Sequence, residues 1–214
     1  IVRVDHFRGF AANWSIPADQ PNAIVGEWTP APGTELFDAM RQRFGELPIL
    51  AEDLGLITSD VDQLRDANGF PGMRVLQFAF SLLNEPGNLF LPHHHIPNCV
   101  VYTGTHDNDT IRGWYENLES HERQNVLDYL GHEPQDIAWE FVRMAMASVG
   151  KIVIVPMQDV LGLTGDARMN RPSVESGNWD WRVAGDYDRH ESAPRLADLV
   201  RIFGRDEERL AAAT

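Results

Sequence analysis

A chain of 214 residues with 43% apolar and 23% charged side chains has the make-up of an ordinary globular protein, long enough to bury a core. Its formal charge of −14 argues against nucleic acid as a partner, whereas a neutral glycan is indifferent to that field. Cys99 is the one cysteine, which excludes an internal disulfide and fits a reducing, cytoplasmic setting; no apolar run approaches the ~20 residues of a membrane span, and no signal peptide is recognisable.

The chain opens on a strand-like run at residues 1–5, without an initiator Met, and is expected to be a segment of something longer. A loop rich in Trp, Asn, Pro and Gly follows at residues 9–32. Leu36, Phe37, Met40 and Phe44 then mark one face of a helix, with Thr34 as its N-cap and Gly45 as its stop. After a second strand at residues 48–53, Thr58 or Ser59 caps a helix running through Val61 and Leu64 to Asn68-Gly69. A strand over residues 73–80 leads into a loop at 81–98, and a fourth strand spans 99–107. Ile137, Phe141, Met144 and Ser148 mark a helix opened by Pro134 and closed by Gly150, and the last strand occupies 151–157. A third long loop covers 161–190. Leu196, Leu199, Val200 and Phe203 form a helical stripe near the C-terminus, with residues 207–213 as its fraying end.

These strands are apolar on both alternations, as in Ile152-Val153-Ile154-Val155, which is the pattern of buried parallel strands. Alternation with helices leaves two α/β architectures, a doubly wound sheet or a (β/α)8 barrel. Five strands cannot close the barrel, and no Gly-rich phosphate loop supports a dinucleotide fold. The long loops follow the strands, where barrel enzymes build their sites.

Three strands end on acids: Asp5, Glu52 and Asp107. Retaining chemistry at a glycosidic bond needs one carboxylate to attack the anomeric carbon and a carboxyl group about 5–5.5 Å away to protonate the leaving oxygen. Asp5 suits the nucleophile, because Arg3 lies two residues earlier on the same strand face and would hold it ionised. Glu52 suits the acid/base, as burial at the end of an apolar strand would raise its pKa. Asp107, with His106 beside it, could bind sugar hydroxyls and stabilise an oxocarbenium-like transition state. Asp53 should face away from Glu52 and serve structure. A single strand-end acid is more often a cap or loop acceptor, so it is the recurrence that points to sugar chemistry.

Other features point less far. His93-His94-His95 cannot all face one ion and has no Cys, Asp or Glu cluster at ligand spacing, so no metal is expected. Trp14 and Trp28, in a polar loop, are candidates for stacking on sugar rings, as are Phe7 and Phe10, whose alternative is core packing. Phe78 alternates with Leu76 and Phe80 and reads as packed in a buried strand. Trp179 and Trp181 read as braces of the last loop, and Cys99 as a buried, unreactive thiol.

The tracts RVDHFRGF (residues 3–10), AEDLG (51–55), GMRVLQFAF (72–80), VYTGTHDNDT (101–110) and RMNRPSVESGNWDWR (168–182) together resemble amylomaltase, the bacterial 4-alpha-glucanotransferase or disproportionating enzyme of the α-amylase superfamily. The resemblance implies a partial (β/α)8 barrel, strands four to eight with long catalytic-face loops, in which residues 1–214 are the C-terminal portion of the catalytic domain. The first barrel strands and an earlier Asp-bearing motif would precede RVDHFRGF. It implies Asp5 as nucleophile, Glu52 as acid/base, Asp107 as transition-state stabiliser, and substrate contacts from Arg3, His106 and Phe78. It implies maltooligosaccharides, amylose or glycogen-derived glucans as substrates, no cofactor, and no nucleic-acid or membrane partner. This stretch alone is expected to be inactive and to self-associate through an exposed barrel edge. Ser81-Leu82 departs from the family where an acid is common, and Ser173 where Gly is usual. The alternatives are an amylase-type glucan hydrolase and a non-catalytic glucan-binding half-barrel.

Overall fold

The computed structural model describes residues 1–81, 83, 85, 87–185 and 191–206. Leu82, the last five residues of the loop expected at 161–190, and the helix end expected at 207–213 lie outside the described residues. The chain forms two compact units, Ile1–Met73 with Asn98–Val100, and Arg74–Pro97 with Val101–Thr214.

In the first unit, β1 (Val2–Val4) and β4 (Ile49–Ala51) pair in parallel, with Val4 opposite Ala51. The connection between them carries α1 (Gly33–Phe44). Phe7, Phe37, Ile49, Ala51, Val61, Leu64 and Phe70 form the core, with Phe7 stacked on Phe37 and edge-on to Phe70. The face of α1 is narrower than its sequence implied. Phe37 is buried and Met40 packs beside it, whereas Leu36 and Phe44 are exposed. α2 (Ser59–Ala67) follows Thr58 and buries Val61 and Leu64, and Gly69 just beyond it has φ 68°.

The expected loop at 9–32 is instead part sheet. β2 (Ala12–Ser15) and β3 (Glu27–Pro30) pair antiparallel, placing Trp14 directly opposite Trp28. Their Asn, Ser and Pro residues read as loop, because such a hairpin is held by one cross-strand aromatic pair rather than by alternating burial.

Asp53 organises the floor of this unit. Its carboxylate is buried, pairs with Arg65 Nη1 at 2.6 Å and accepts the Met73 N–H at 2.6 Å. Gly72 makes this possible, since a Cβ there would lie 2.2 Å from Asp53 Oδ2.

β5 (Gly72–Val75), β6 (Cys99–Tyr102) and β7 (Ile152–Ile154) form a hydrogen-bonded sheet in that order; the division between units falls within β5 and β6. The strand expected over 73–80 ends early. After Val75 the chain turns into α3 (Phe78–Ser81), and Leu76, Ala79 and Phe80 are all fully buried. Those three positions have helical spacing, which here wins over the alternation of Leu76, Phe78 and Phe80.

Two further helices, α4 (Ile111–Glu116) and α5 (Ser120–Leu130), follow β6. α6 (Ile137–Ala147) opens at Asp136, whose side chain accepts the Trp139 N–H, and not at Pro134. β7 runs into α7 (Met157–Val160). In α8 (Ser192–Ile202) the expected stripe is used: Leu196, Leu199, Val200 and Phe203 pack with Trp139, Val142, Met146 and Val160. Ile154 is 43% exposed, so β7 is less enclosed than its apolar sequence implied.

Among the described residues, no helix is long and apolar enough to cross a membrane. No group of three or more His, Cys, Asp or Glu among them could hold a metal ion. The three adjacent histidines face different partners: His93 Nδ1 meets the Tyr129 hydroxyl, His94 Nδ1 the Asn88 carbonyl, and His95 bridges Ser148 Oγ and the Phe90 carbonyl. Burial, opposed by the Phe90 carbonyl, lowers the His95 pKa to about 4, so it is a neutral pin for the loop it closes.

Candidate active site

The first unit brings Asp5, Glu52 and Arg3 together. Continuing the parallel register beyond Val4 and Ala51 sets Asp5 beside Glu52, at the C-terminal ends of neighbouring strands. The Glu52 N–H donates to the Val4 carbonyl and the Phe7 N–H to the Glu52 carbonyl, so the pairing persists past the formal strand ends. Arg3 Nη2 reaches Asp5 Oδ1 at 2.7 Å, the same-face pair that period-2 geometry implies. Asp5 remains 75% exposed at its side chain, open to a reacting partner.

Glu52 is half-buried, and backbone donors aim it. Its Oε2 accepts the His6 N–H at 2.7 Å and its Oε1 the Leu54 N–H at 3.0 Å. The first contact exists because His6 adopts a left-handed conformation, φ 47° and ψ 53°, which turns the chain from β1 into the 3-10 turn Phe7–Phe10. A non-glycine residue in that region is uncommon and is sustained by its surroundings. The left-handed turn at His6 thus aims a backbone N–H at the Glu52 carboxylate.

The two tryptophans are committed more than a free platform would be. Trp14 donates its Nε1–H to the Ala23 carbonyl at 2.9 Å and meets Trp28 edge-on at 5.4 Å. The Arg8 guanidinium lies 4.0 Å from the centroid of a Trp28 ring. Both nevertheless keep surface, at 37% and 45% exposure. Phe7 is fully buried and belongs to the core, the second of the two readings its sequence allowed.

The second unit holds His106 and Asp107 on the turn after β6. Asn108 Oδ1 accepts from both the N–H and the hydroxyl of Thr105, and Gln77 Nε2 donates to the Asp109 carbonyl at 2.7 Å. His106 Nε2 lies 3.3 Å from Asp107 Oδ2. Phe78 sits on α3 and not on a strand; it is half-buried and edge-on to Phe90 at 5.4 Å.

A second set of groups fastens this turn, which the strand-end pattern did not reveal. Asn170 Nδ2 donates to Asp107 Oδ1 at 2.6 Å, and the Asn170 N–H donates to the His106 carbonyl at 3.0 Å. Arg168 donates to the Asp107 carbonyl and, through Nε, to the Asn170 carbonyl. Trp179, at φ 64°, lays its ring beside His106 with centroids 5.2 Å apart. Trp179 therefore packs against His106 and not only within its own loop. The available signal was the cluster of Arg, Asn and Trp in RMNRPSVESGNWDWR, polar residues that a loop of purely structural purpose has little need of.

The 4-alpha-glucanotransferase family model matches residues 1–187. The chain is 50% identical over 207 residues to the "4-alpha-glucanotransferase, chloroplastic/amyloplastic" of Solanum tuberosum, covering 95% of this chain and 36% of that protein. It is 46% identical to the 4-alpha-glucanotransferase of Thermus thermophilus, covering 98% of this chain and 42% of the relative. The amylomaltase of Streptococcus agalactiae, solved in complex with acarbose, superposes with a TM-score of 0.87 at 36% identity, over 94% of this chain and 41% of that one. The amylomaltase of Corynebacterium glutamicum shares the fold at 17% identity, with a TM-score of 0.70. These likenesses and the strand–helix order identify the α/β architecture as part of a (β/α)8 barrel. The chain spans well under half the length of the relatives it matches, and across nearly all of its own length it belongs to the 4-alpha-glucanotransferase family.

Proposed function

We propose that this chain is the part of a 4-alpha-glucanotransferase that carries its retaining double-displacement machinery, acting on maltooligosaccharides and related α-1,4-glucans. The observation that carries the reading is the pairing of Asp5 and Glu52 at adjacent parallel strand ends, one carboxylate exposed and ion-paired, the other aimed by two backbone N–H groups.

Asp5 attacks the anomeric carbon as Glu52 donates its proton to the glycosidic oxygen; the C–O bond breaks and the reducing-side fragment leaves with that proton. The 4-hydroxyl of a second glucan then attacks the glycosyl ester. Glu52, now a carboxylate, takes the hydroxyl proton, and Asp5 is released. Arg3 keeps Asp5 ionised and oriented. His106 and Asp107 bind donor hydroxyls and stabilise positive charge at the anomeric centre, held by Asn170 and Arg168. Trp14, Trp28 and Phe78 supply apolar contact to sugar rings and help exclude water, which favours transfer over hydrolysis. The chemistry needs no cofactor. We read the protein as cytoplasmic, a reading supported by its lone buried Cys99.

The test uses a complete polypeptide containing this segment, incubated with maltotriose. Transfer yields glucans both longer and shorter than the substrate, whereas only shorter ones would mark a hydrolase. Asp5→Asn is expected to abolish the ladder, by a factor of about 10³ or more in rate, while glucan binding persists. Near-native turnover by Asp5→Asn would overturn the assignment, and binding without turnover in the unsubstituted protein would favour a glucan-binding module.

A further inference from the structure

α7 follows Pro156 and buries Asp159, which is 1% exposed. Its Oδ2 accepts the Thr103 hydroxyl at 2.6 Å and its Oδ1 the Ile111 N–H at 2.8 Å. Thr103 closes β6 and Ile111 opens α4, so they are the two feet of the turn that bears His106 and Asp107. One carboxylate therefore ties both feet together from a separate element. None of the roles assigned above uses it.

The surroundings explain why an acid here is more than packing. A cavity of about 140 Å³ is lined by Thr105, His106, Asp109, Gln158, Asp159 and Arg168 among others. The charged and titratable groups facing Asp159 are Asp109 on the turn, and His106 and Arg168 across the cavity. From β6 and α4 it meets an uncharged hydroxyl and an N–H. On the other side of α7, α6 contributes Trp139, Val142 and Met146 around Val160, all uncharged.

We propose that Asp159 is a positioning residue for glucan transfer, acting through Thr103 and Ile111 to hold the turn that presents His106 and Asp107. This inference rests on the proposed function for its activity readout only. Burial pushes the Asp159 carboxyl up to about 6; the Ile111 and Thr103 hydrogen bonds oppose this and the charge of Asp109 adds to it. Below that pH the acid gains a proton of its own. Thr103 Oγ, which donates to the carboxylate, must then turn and accept, and one foot of the turn re-pairs. The acidic limb of activity is therefore set in part by a group that never touches substrate.

The experiment compares Asp159→Asn, and Thr103→Val as a second variant that removes one foot without touching the acid, in a complete polypeptide containing this segment. Asp159→Asn keeps an acceptor for the Ile111 N–H but cannot ionise. Expected is a fall in kcat of about ten- to a hundredfold at pH 7 with KM within about twofold, together with loss of the limb near pH 6. Thr103→Val should reproduce the kcat loss. Amide exchange across residues 103–111, corrected for its intrinsic pH dependence, gives a readout free of activity. It should quicken from pH 7 to pH 5 in the unsubstituted protein and lose that dependence in Asp159→Asn. Unchanged kcat, pH profile and exchange in Asp159→Asn would overturn the inference. Absence of any glucan transfer by the unsubstituted protein would instead sink the functional reading, and the exchange data would still decide whether Asp159 positions the turn.

Discussion

Ser173 occupies the left-handed region at φ 65°, where a β-carbon is crowded against the backbone. A glycine, having no β-carbon, would adopt this conformation without that crowding. Ser173→Gly relieves a conformation that disfavours L-residues by about 1–2 kcal/mol, offset by the greater unfolded-state freedom of glycine. The expected net gain is about 0.5–1 kcal/mol, a rise of roughly 1–4 °C in Tm, while Ser173→Ala should gain nothing. A lower midpoint for Ser173→Gly would contradict this. Residue chemistry was legible in the sequence where it depends on short spacing. Arg3 and Asp5 meet because alternate residues share a strand face, and Asp53 turned inward while Glu52 did not. The partners of Asp107 were hidden, since Asn170 and Arg168 reach it from more than sixty residues away, a distance that no periodicity encodes.

Elements were readable where burial is one-sided. α2 and α8 follow their apolar stripes, because each packs one face on a core. α6 is buried more widely than the stripe of Ile137, Phe141 and Met144, adding Trp139, Val142 and Met146. α3 and the β2–β3 hairpin were not readable in this way. Around α3, Leu76, Phe78 and Phe80 alternate as in a strand while Leu76, Ala79 and Phe80 have helical spacing, and so short an apolar run does not separate the two periods. The hairpin is a partly exposed element whose order comes from Trp14 on Trp28 and the hydroxyl pair of Ser15 and Thr29, too short a pattern to separate from a loop. A testable consequence at this scale concerns how α2 joins the strand ends. Arg65 pairs with buried Asp53 and also with Asp62 and Asp66. Arg65→Met should destabilise by about 3–5 kcal/mol in chemical denaturation, because it strands a charge that is only 2% exposed. In an Asp53→Asn background the same substitution should lose much less. An equal loss in both backgrounds would mean that Arg65 matters for packing alone.

At the scale of the whole molecule, the charge of −14 acts on stability and solubility and not on a neutral substrate. Raising ionic strength from about 0.05 to about 0.5 M shortens the Debye length several-fold, so the Tm of this chain should rise as self-repulsion is screened. A falling Tm would mean that favourable ion pairs outweigh the self-repulsion. Family membership was legible because five short tracts spread over the chain together resemble the family's motifs, three of them bearing Asp5, Glu52 and Asp107 at or just beyond a strand end. The division into two compact units was not, since its boundary falls within β5 and β6, whose sequences run on without a break. The central claim is that Asp5 becomes covalently bonded to the sugar. In a complete polypeptide carrying Glu52→Gln, an α-maltosyl fluoride donor needs no proton to leave, so the first step proceeds while the second lacks its base. Digestion and mass spectrometry should then find the maltosyl ester on the peptide containing Asp5, and on Asp5 within it. A stoichiometric adduct on any other residue, or turnover of the fluoride with inversion and no adduct, would contradict the account.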